Sequence, residues 1–358
     1  MVQMHHGPSN PKVLYLYAGL RKDFYAKYQK GLVPDTQLLG LNYMEQFGIK
    51  AEFKEWALSN WLRKISFNLV HLPYLFIIRR YDVVFICAGL SLVFLAKWLL
   101  GWKKPKFVIY NTYLTNALKR HPTGLIHFIN RKAIENIDLV VSTAREQMEF
   151  LLAQGFDPQK IIFHPIGIDA ERFYNESKKG PAYRAPYIAS VGRDLGRDYQ
   201  TLFEAVKDLS VEIKVATKAE TVKGLSVPSN VKLLFNVPYE EMPSFYKRAL
   251  FVVTPLKNTE NKAGSDTSGQ YGFLEPMAAG KAVIVTDKST VRDYIENGKE
   301  GILVPPSNAE DLKKAILTLL KDGDFRERLG RAGQQKVLKQ FTSLRFAQAL
   351  SDIFKSLS

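Results

Sequence analysis

The chain of 358 residues contains one cysteine, Cys87. An internal disulfide and a cysteine-based zinc site both need partners it lacks, so nothing asks for an oxidising compartment and a cytoplasmic protein is expected. Proline- or glycine-rich and low-complexity tracts are absent as well. With 46% hydrophobic and 24% charged residues, the composition is that of a folded globular chain and argues against long disordered segments. Met1 to Pro11 has neither the basic start nor the apolar run of a secretion signal, and His5 and His6 followed by Gly-Pro-Ser-Asn read as a flexible leader. At roughly 100 to 200 residues per domain, the length predicts two domains with full-sized cores.

Standard catalytic signatures are missing too. There is no Gly-x-Ser-x-Gly elbow, no Walker loop, no His-Glu-x-x-His, and no G-x-G-x-x-G after the first strand. Asp322-Gly-Asp324 has the look of a metal-binding pair, but it stands at a helix start, where aspartate serves as a cap. Two carboxylates without a phosphate partner are too few for magnesium, so no metal is expected. Val83 to Gly101 is the longest nearly uncharged run, broken only by Lys97. It could span a bilayer by length, but its β-branched start and the Gly89-Leu-Ser91 turn divide it into a strand, Asp82 to Cys87, and a helix.

Acidic residues are scarce in one window. Between Lys54 and Lys132 stand 13 Lys and Arg against two acids, Glu55 and Asp82, so this stretch holds +11 of the net charge of +15. Such clusters attract phosphates, whether on nucleic acid, lipid headgroups or acidic substrates. No zinc-finger, RNA-recognition or KH signature accompanies the charge, so nucleic acid is not expected as a partner. Around Trp56 to Leu72, residues Leu58, Leu62, Ile65, Leu69 and Leu72 recur at helical spacing beside Arg63 and Lys64, and Pro73 predicts the helix end. Ser91 to Trp102, followed by Lys103, Lys104 and Lys106, again couples aromatic bulk to a basic edge. Two readings fit: an interfacial helix on an anionic bilayer, or a helix packed inward with a solvated basic face.

The first half alternates short apolar strands (12–17, 82–87, 106–110, 138–142, 160–164) with helices, around Gln37 to Gly48 and Arg145 to Gln154. A polar linker begins at Asn175, and the alternation then restarts with strands at 187–191, 211–215, 231–235, 250–254, 282–286 and 301–304. This pattern predicts α/β architecture with two Rossmann-like parallel sheets, which bind ligands at the carboxyl ends of their strands. The domains are expected at 1–174 and 175–341, with a last helix, 342–358, crossing back onto the first.

Two segments at such strand ends carry chemistry. Gly192-Arg193-Asp194-Leu195-Gly196-Arg197-Asp198 lets backbone approach a ligand and offers two forked donors that suit a diphosphate; equally, the arginines could pair with Asp194 and Asp198 at the surface. Gly264 to Gly280 takes a small polar loop into a helix near Tyr271, whose amino end is an anion site. Glu275, one turn inside, could accept two ribose hydroxyls or simply complement the dipole.

Several stretches resemble the retaining GT-B glycosyltransferases, the group that includes bacterial phosphatidylinositol mannosyltransferases and sucrose synthases. They are Ile137 to Thr143, Lys160-Ile-Ile-Phe-His-Pro-Ile-Gly-Ile-Asp169 with Phe173, Tyr246 to Pro255, and Leu274-Glu275-Pro-Met-Ala-Ala-Gly-Lys-Ala-Val-Ile-Val-Thr286. The resemblance implies a GT-B fold and transfer of a sugar from a nucleoside-diphosphate sugar, with retention and without a metal or other cofactor, to a glycan or lipid-linked acceptor. An anionic membrane surface is the expected partner and the inner membrane face the expected location. It implies that Arg193 and Arg197 hold the diphosphate and that Glu275 binds the ribose. The first acid of the family's E-x7-E pair is missing: Thr267 stands there, with Asp266 beside it as a substitute, or the Ser268-Gly269-Gln270 backbone takes over. Gly192, Lys218, Tyr271 and Gly272 complete the implied donor side; Gly19, Asn111 and His121 form the implied acceptor side.

Overall fold

The protein is described here by a computed structural model, which places residues 10–179, 186–257 and 269–358. Two parallel six-stranded sheets organise it. The first runs in the order β2-β1-β3-β4-β5-β6, with β1 Lys12–Leu16, β2 Lys50–Phe53, β3 Val83–Ile86, β4 Lys106–Asn111, β5 Leu139–Ser142 and β6 Ile161–Phe163. The second runs β12-β11-β10-β7-β8-β9, with β7 Tyr187–Val191, β8 Ile213–Thr217, β9 Val231–Phe235, β10 Ala249–Thr254, β11 Val283–Thr286 and β12 Ile302–Val304. Central strands such as β3 and β11 are buried on both faces, which is why they read as unbroken apolar runs.

Three expectations change. The 37–48 stretch forms three short 3-10 turns rather than a helix, broken by left-handed Leu39, Gly40 and Gly48. The helix foreseen from Trp56 to Leu72 spans only Ala57–Ile65, because Ser66 turns extended. The linker foreseen from Asn175 is in its first residues the last turn of a helix, Ala170–Lys178, that crosses the expected boundary at 174/175. The sequence reading also missed β2, a four-residue edge strand with alternate positions exposed.

Val83 to Gly101 divides into β3, a short helix Leu90–Val93 and a wider helical turn Phe94–Leu99. Among the described residues no helix is long and apolar enough to cross a membrane. Asp322 caps the helix Gly323–Gln340, accepting from the Phe325 amide at 2.8 Å.

The last helix, Ser343–Leu357, lies against the first sheet. Phe354 packs edge-on to Tyr15 and Phe85, and Phe346 to Tyr110. Ile168 exchanges backbone bonds with Phe341 and Ser343 at 2.9 and 2.8 Å. A side chain on Gly167 would strike the Thr342 carbonyl and Phe346, so glycine is required where the two segments meet. Asp169 then caps the Ala170–Lys178 helix and accepts the Asp35 amide at 3.2 Å. Burial beside Asp35 pushes its carboxyl up to about 6.

Candidate active site between the two sheets

The carboxyl ends of β1, β3 and β4 face the end of β7 and the start of the helix Gln270–Ala278 across a cavity of about 430 Å³. Parallel sheets leave their ligand crevice in this position. Contacts between the halves frame it: Tyr294 donates to the Thr143 carbonyl at 2.7 Å, Gln270 donates to the same carbonyl at 3.2 Å, and Arg145 pairs with Asp293 at 3.3 Å.

Arg197 is the central cation. Asp198 caps the following helix, accepting from the Thr201 amide, while Arg197 itself bridges to Leu256 beyond β10. Its guanidinium lies over Gly192, where any side chain would collide with it, and beside Gly269 and Gly272. The glycines at 192, 269 and 272 thus make a channel for one arginine. Arg197 is 5% exposed; one nitrogen stands 3.4 Å from Asp194, and Nε and Nη1 are buried with no hydrogen-bond partner among the described residues.

Arg193 goes elsewhere. It is exposed and donates to the Val237 carbonyl, outside the cavity wall, so the pair of arginines expected from the motif is not formed. The cavity gains its further cations from the first half instead: Arg21 and Arg63 line it, and both bring a guanidinium nitrogen close to Gly19. Arg21 is anchored by its bonds to the Gln37 and Leu20 carbonyls. Among the described residues, three guanidiniums therefore meet a single lining carboxylate, Asp194. Neither Arg21 nor Arg63 was legible as a site residue, because only the folded chain brings positions 21, 63 and 197 together.

Glu275 is buried, and both its oxygens are engaged by the protein. Tyr239 donates to one and Tyr246 to the other, the latter at 3.3 Å. Burial pushes its carboxyl up to about 8 against the pull of the two hydroxyls. It does not line the cavity. The resemblance gave it the ribose; in the structure it ties the helix Gln270–Ala278 to Tyr239 and Tyr246.

Gly19, Gly269, Gln270 and Tyr271 line the cavity; Gly192 and Gly272 lie just behind it against Arg197. Lys218 is exposed at the end of β8 and away from the cavity. Asn111 is fully buried, its amide donating to Thr115 and Ser142 at 3.2 and 3.3 Å, and it does not reach the cavity either. His121 borders a neighbouring cavity. Asp266 and Ser268 lie outside the described residues. Among the described residues no three His, Cys, Asp or Glu side chains gather as a metal site.

Comparison with known proteins agrees with this arrangement. Residues 178–336 match the family described as glycosyl transferases group 1. An uncharacterized glycosyltransferase of Methanocaldococcus jannaschii is 25% identical over 199 residues, 54% of this chain and 52% of that protein. The GDP-mannose-dependent alpha-(1-6)-phosphatidylinositol monomannoside mannosyltransferase of Mycobacterium tuberculosis is 25% identical over 229 residues, 57% of this chain and 58% of that one. The chain thus spans about half the length of these curated relatives. Among solved structures, sucrose-phosphate synthase from Thermosynechococcus elongatus superimposes with a TM-score of 0.72 at 17% identity, covering 98% of this chain and 99% of the other. HepE of Anabaena, in complex with UDP and glucose, gives 0.69 at 14% identity, covering 97% and 100%. The architecture is the GT-B fold.

Proposed function

With residues 178–336 belonging to the group 1 glycosyltransferases, we propose that the protein transfers a sugar, with retention, from a nucleoside-diphosphate sugar to an acceptor at a membrane surface. The observation that carries the transfer reading is Arg197: a buried guanidinium in the wall of the cleft between the two sheets, with two nitrogens that find no partner among the described residues. Leaving such donors unpaired is costly, and charge-assisted bonds to a diphosphate recover about 1.5 to 3 kcal/mol each.

In the proposed reaction the bond from the anomeric carbon to the diphosphate oxygen breaks and a bond to the acceptor oxygen forms on the same face. The acceptor's proton leaves on the departing diphosphate. Negative charge grows on that leaving group, and Arg197, Arg21 and Arg63 stabilise it without reorganising. Gly269 and Gln270, at the amino end of the Gln270–Ala278 helix, add backbone dipole. The closed halves exclude water and so limit donor hydrolysis.

The membrane part rests on the outer surface of the first half. Leu58, Trp61 and Ile65 on one helix are 55, 57 and 59% exposed, and Trp98, Leu99, Leu125 and Phe128 are also exposed. Trp98 and Phe128 touch edge-on at 5.4 Å, joining two of these segments. With Arg63 and Lys64 on the same helix and Lys103 and Lys104 nearby in sequence, this is the make-up of a peripheral anionic-membrane contact. The Mycobacterium relative's lipid acceptor supports the same reading.

Incubation with uridine, guanosine, adenosine and thymidine diphosphate sugars tests the transfer reading. Release of nucleoside diphosphate from at least one donor is expected, with kcat/KM falling at least a hundredfold in Arg197→Ala. No release from any donor, or full activity of the variant, would leave a non-catalytic binding protein as the better reading.

A further inference from the structure

Among the described residues, Asp194 is the one carboxylate in the wall of the cleft, set among three arginines. A pocket for a diphosphate gains no affinity from a negative charge. Resting on the transferase reading above, we propose that Asp194 is a positioning residue that acts through Arg197: it holds down the affinity of the cleft for the spent nucleoside diphosphate and so lets the product leave.

The carboxylate is fixed in place. Its Oδ1 accepts from the Gly196 amide at 2.9 Å, and its Oδ2 stands 3.4 Å from Nη2 of Arg197. The loop that carries it is pinned at both ends. Tyr199 and Thr217 donate to the Gly192 carbonyl at 2.8 and 2.6 Å; the Lys257 amide donates to the Gly196 carbonyl at 2.9 Å, and the Asp198 amide to the Pro255 carbonyl at 3.1 Å. A ligand that takes up Nε and Nη1 of Arg197 therefore binds beside a carboxylate held on the same guanidinium. The charge of Asp194 also reaches across the cleft: the Tyr113 hydroxyl of the first half is pushed up chiefly by burial, and Asp194 adds to the rise.

The turn alone does not call for this charge. An asparagine side chain accepts a backbone amide two residues on in the same way. What the charge adds is a repulsion that depends on the ligand. A nucleoside-diphosphate sugar carries one negative charge on each phosphate. Once the sugar is gone, the terminal phosphate ionises a second time with a pKa of about 6, so at neutral pH the product carries one more negative charge than the donor. Asp194 therefore penalises product more than donor. The three guanidiniums stabilise the departing group, and Asp194 limits how tightly they keep it afterwards.

Calorimetric titration at neutral pH tests this. The probes are whichever of uridine, guanosine, adenosine and thymidine diphosphate wild type binds most tightly, and the glucose conjugate of that diphosphate. Asp194→Asn, which keeps an acceptor for the Gly196 amide, should bind the diphosphate about fivefold tighter than wild type and the conjugate less than about twofold tighter. Asp194→Ser, which serves the same turn through a hydroxyl, should show the same shift. Unchanged or weaker diphosphate binding in a folded variant overturns the proposal, because Asp194 then only holds the loop or orients Arg197. Equal tightening of both ligands overturns it as well, since the charge would not tell product from donor. If wild type binds none of the four diphosphates, the transferase reading fails and this inference with it; binding that does not tighten in the variants defeats only this inference.

Discussion

Arg197 and Glu275 are both buried ionisable groups near the cleft, and the structure treats them oppositely. Arg197 keeps two nitrogens without a partner among the described residues, whereas Glu275 has both oxygens engaged by tyrosine hydroxyls. The first arrangement leaves a binding function unfulfilled; the second is complete within the protein. Both residues were visible in the sequence, since each sits in a motif at a strand end or helix start. Their division of labour was not, because it depends on Tyr239 and Tyr246, which lie 36 and 29 positions from Glu275 in the chain. The same limit hid Arg21 and Arg63. A stability measurement separates the two roles. Burial raises the Glu275 carboxyl from 4.5 to about 8, so the folded state keeps a proton that the unfolded chain releases between these values. Its contribution is therefore full below about 4.5 and lost as pH rises through about 8. Relative to Glu275→Gln, the wild-type Tm should fall as pH goes from 5 to 8. A Tm difference that stays constant across that range would mean the carboxyl is already ionised.

At the scale of elements, the helix Ala57–Ile65 shows what periodicity alone leaves open. Leu58, Leu62 and Ile65 form a stripe at helical spacing, and a stripe of this kind ordinarily packs inward. Here Leu58 and Ile65 are more than half exposed, while Ser59 is the buried residue of the helix. The sequence supplied the amphipathic pattern but not its direction, which follows from where the chain turns at Ser66. Asn68 then hydrogen-bonds Asn130 at 3.2 Å, holding this segment against the helix Gly124–Glu135. The direction of the stripe has a consequence in solution. The Trp61→Glu/Ile65→Glu variant should lose co-sedimentation with vesicles containing phosphatidylglycerol at low salt, while wild type binds them and leaves pure phosphatidylcholine vesicles in solution. Equal partitioning of wild type to both vesicle types would remove the membrane from the account.

For the whole molecule, the alternation of strands and helices foretold two parallel sheets, and eleven of the twelve strands were foreseen from apolar runs. The edge strand β2 was not, because four residues with alternating exposure carry too weak a signal. What the chain's linear order could not show is how the halves meet. Gly167 admits the final helix, Asp169 fastens the crossing segment to the turn at Asp35, and Tyr294 reaches across to Thr143. These contacts bring Arg21 and Arg63 opposite Arg197 and make the cleft cationic. Equilibrium titration of uridine, guanosine, adenosine and thymidine diphosphates into wild type and Arg197→Ala tests that cleft most directly. One of the four should bind wild type and lose at least tenfold in affinity in the variant, about 1.4 kcal/mol. If none binds, or if the variant binds as tightly as wild type, the diphosphate is not received at Arg197.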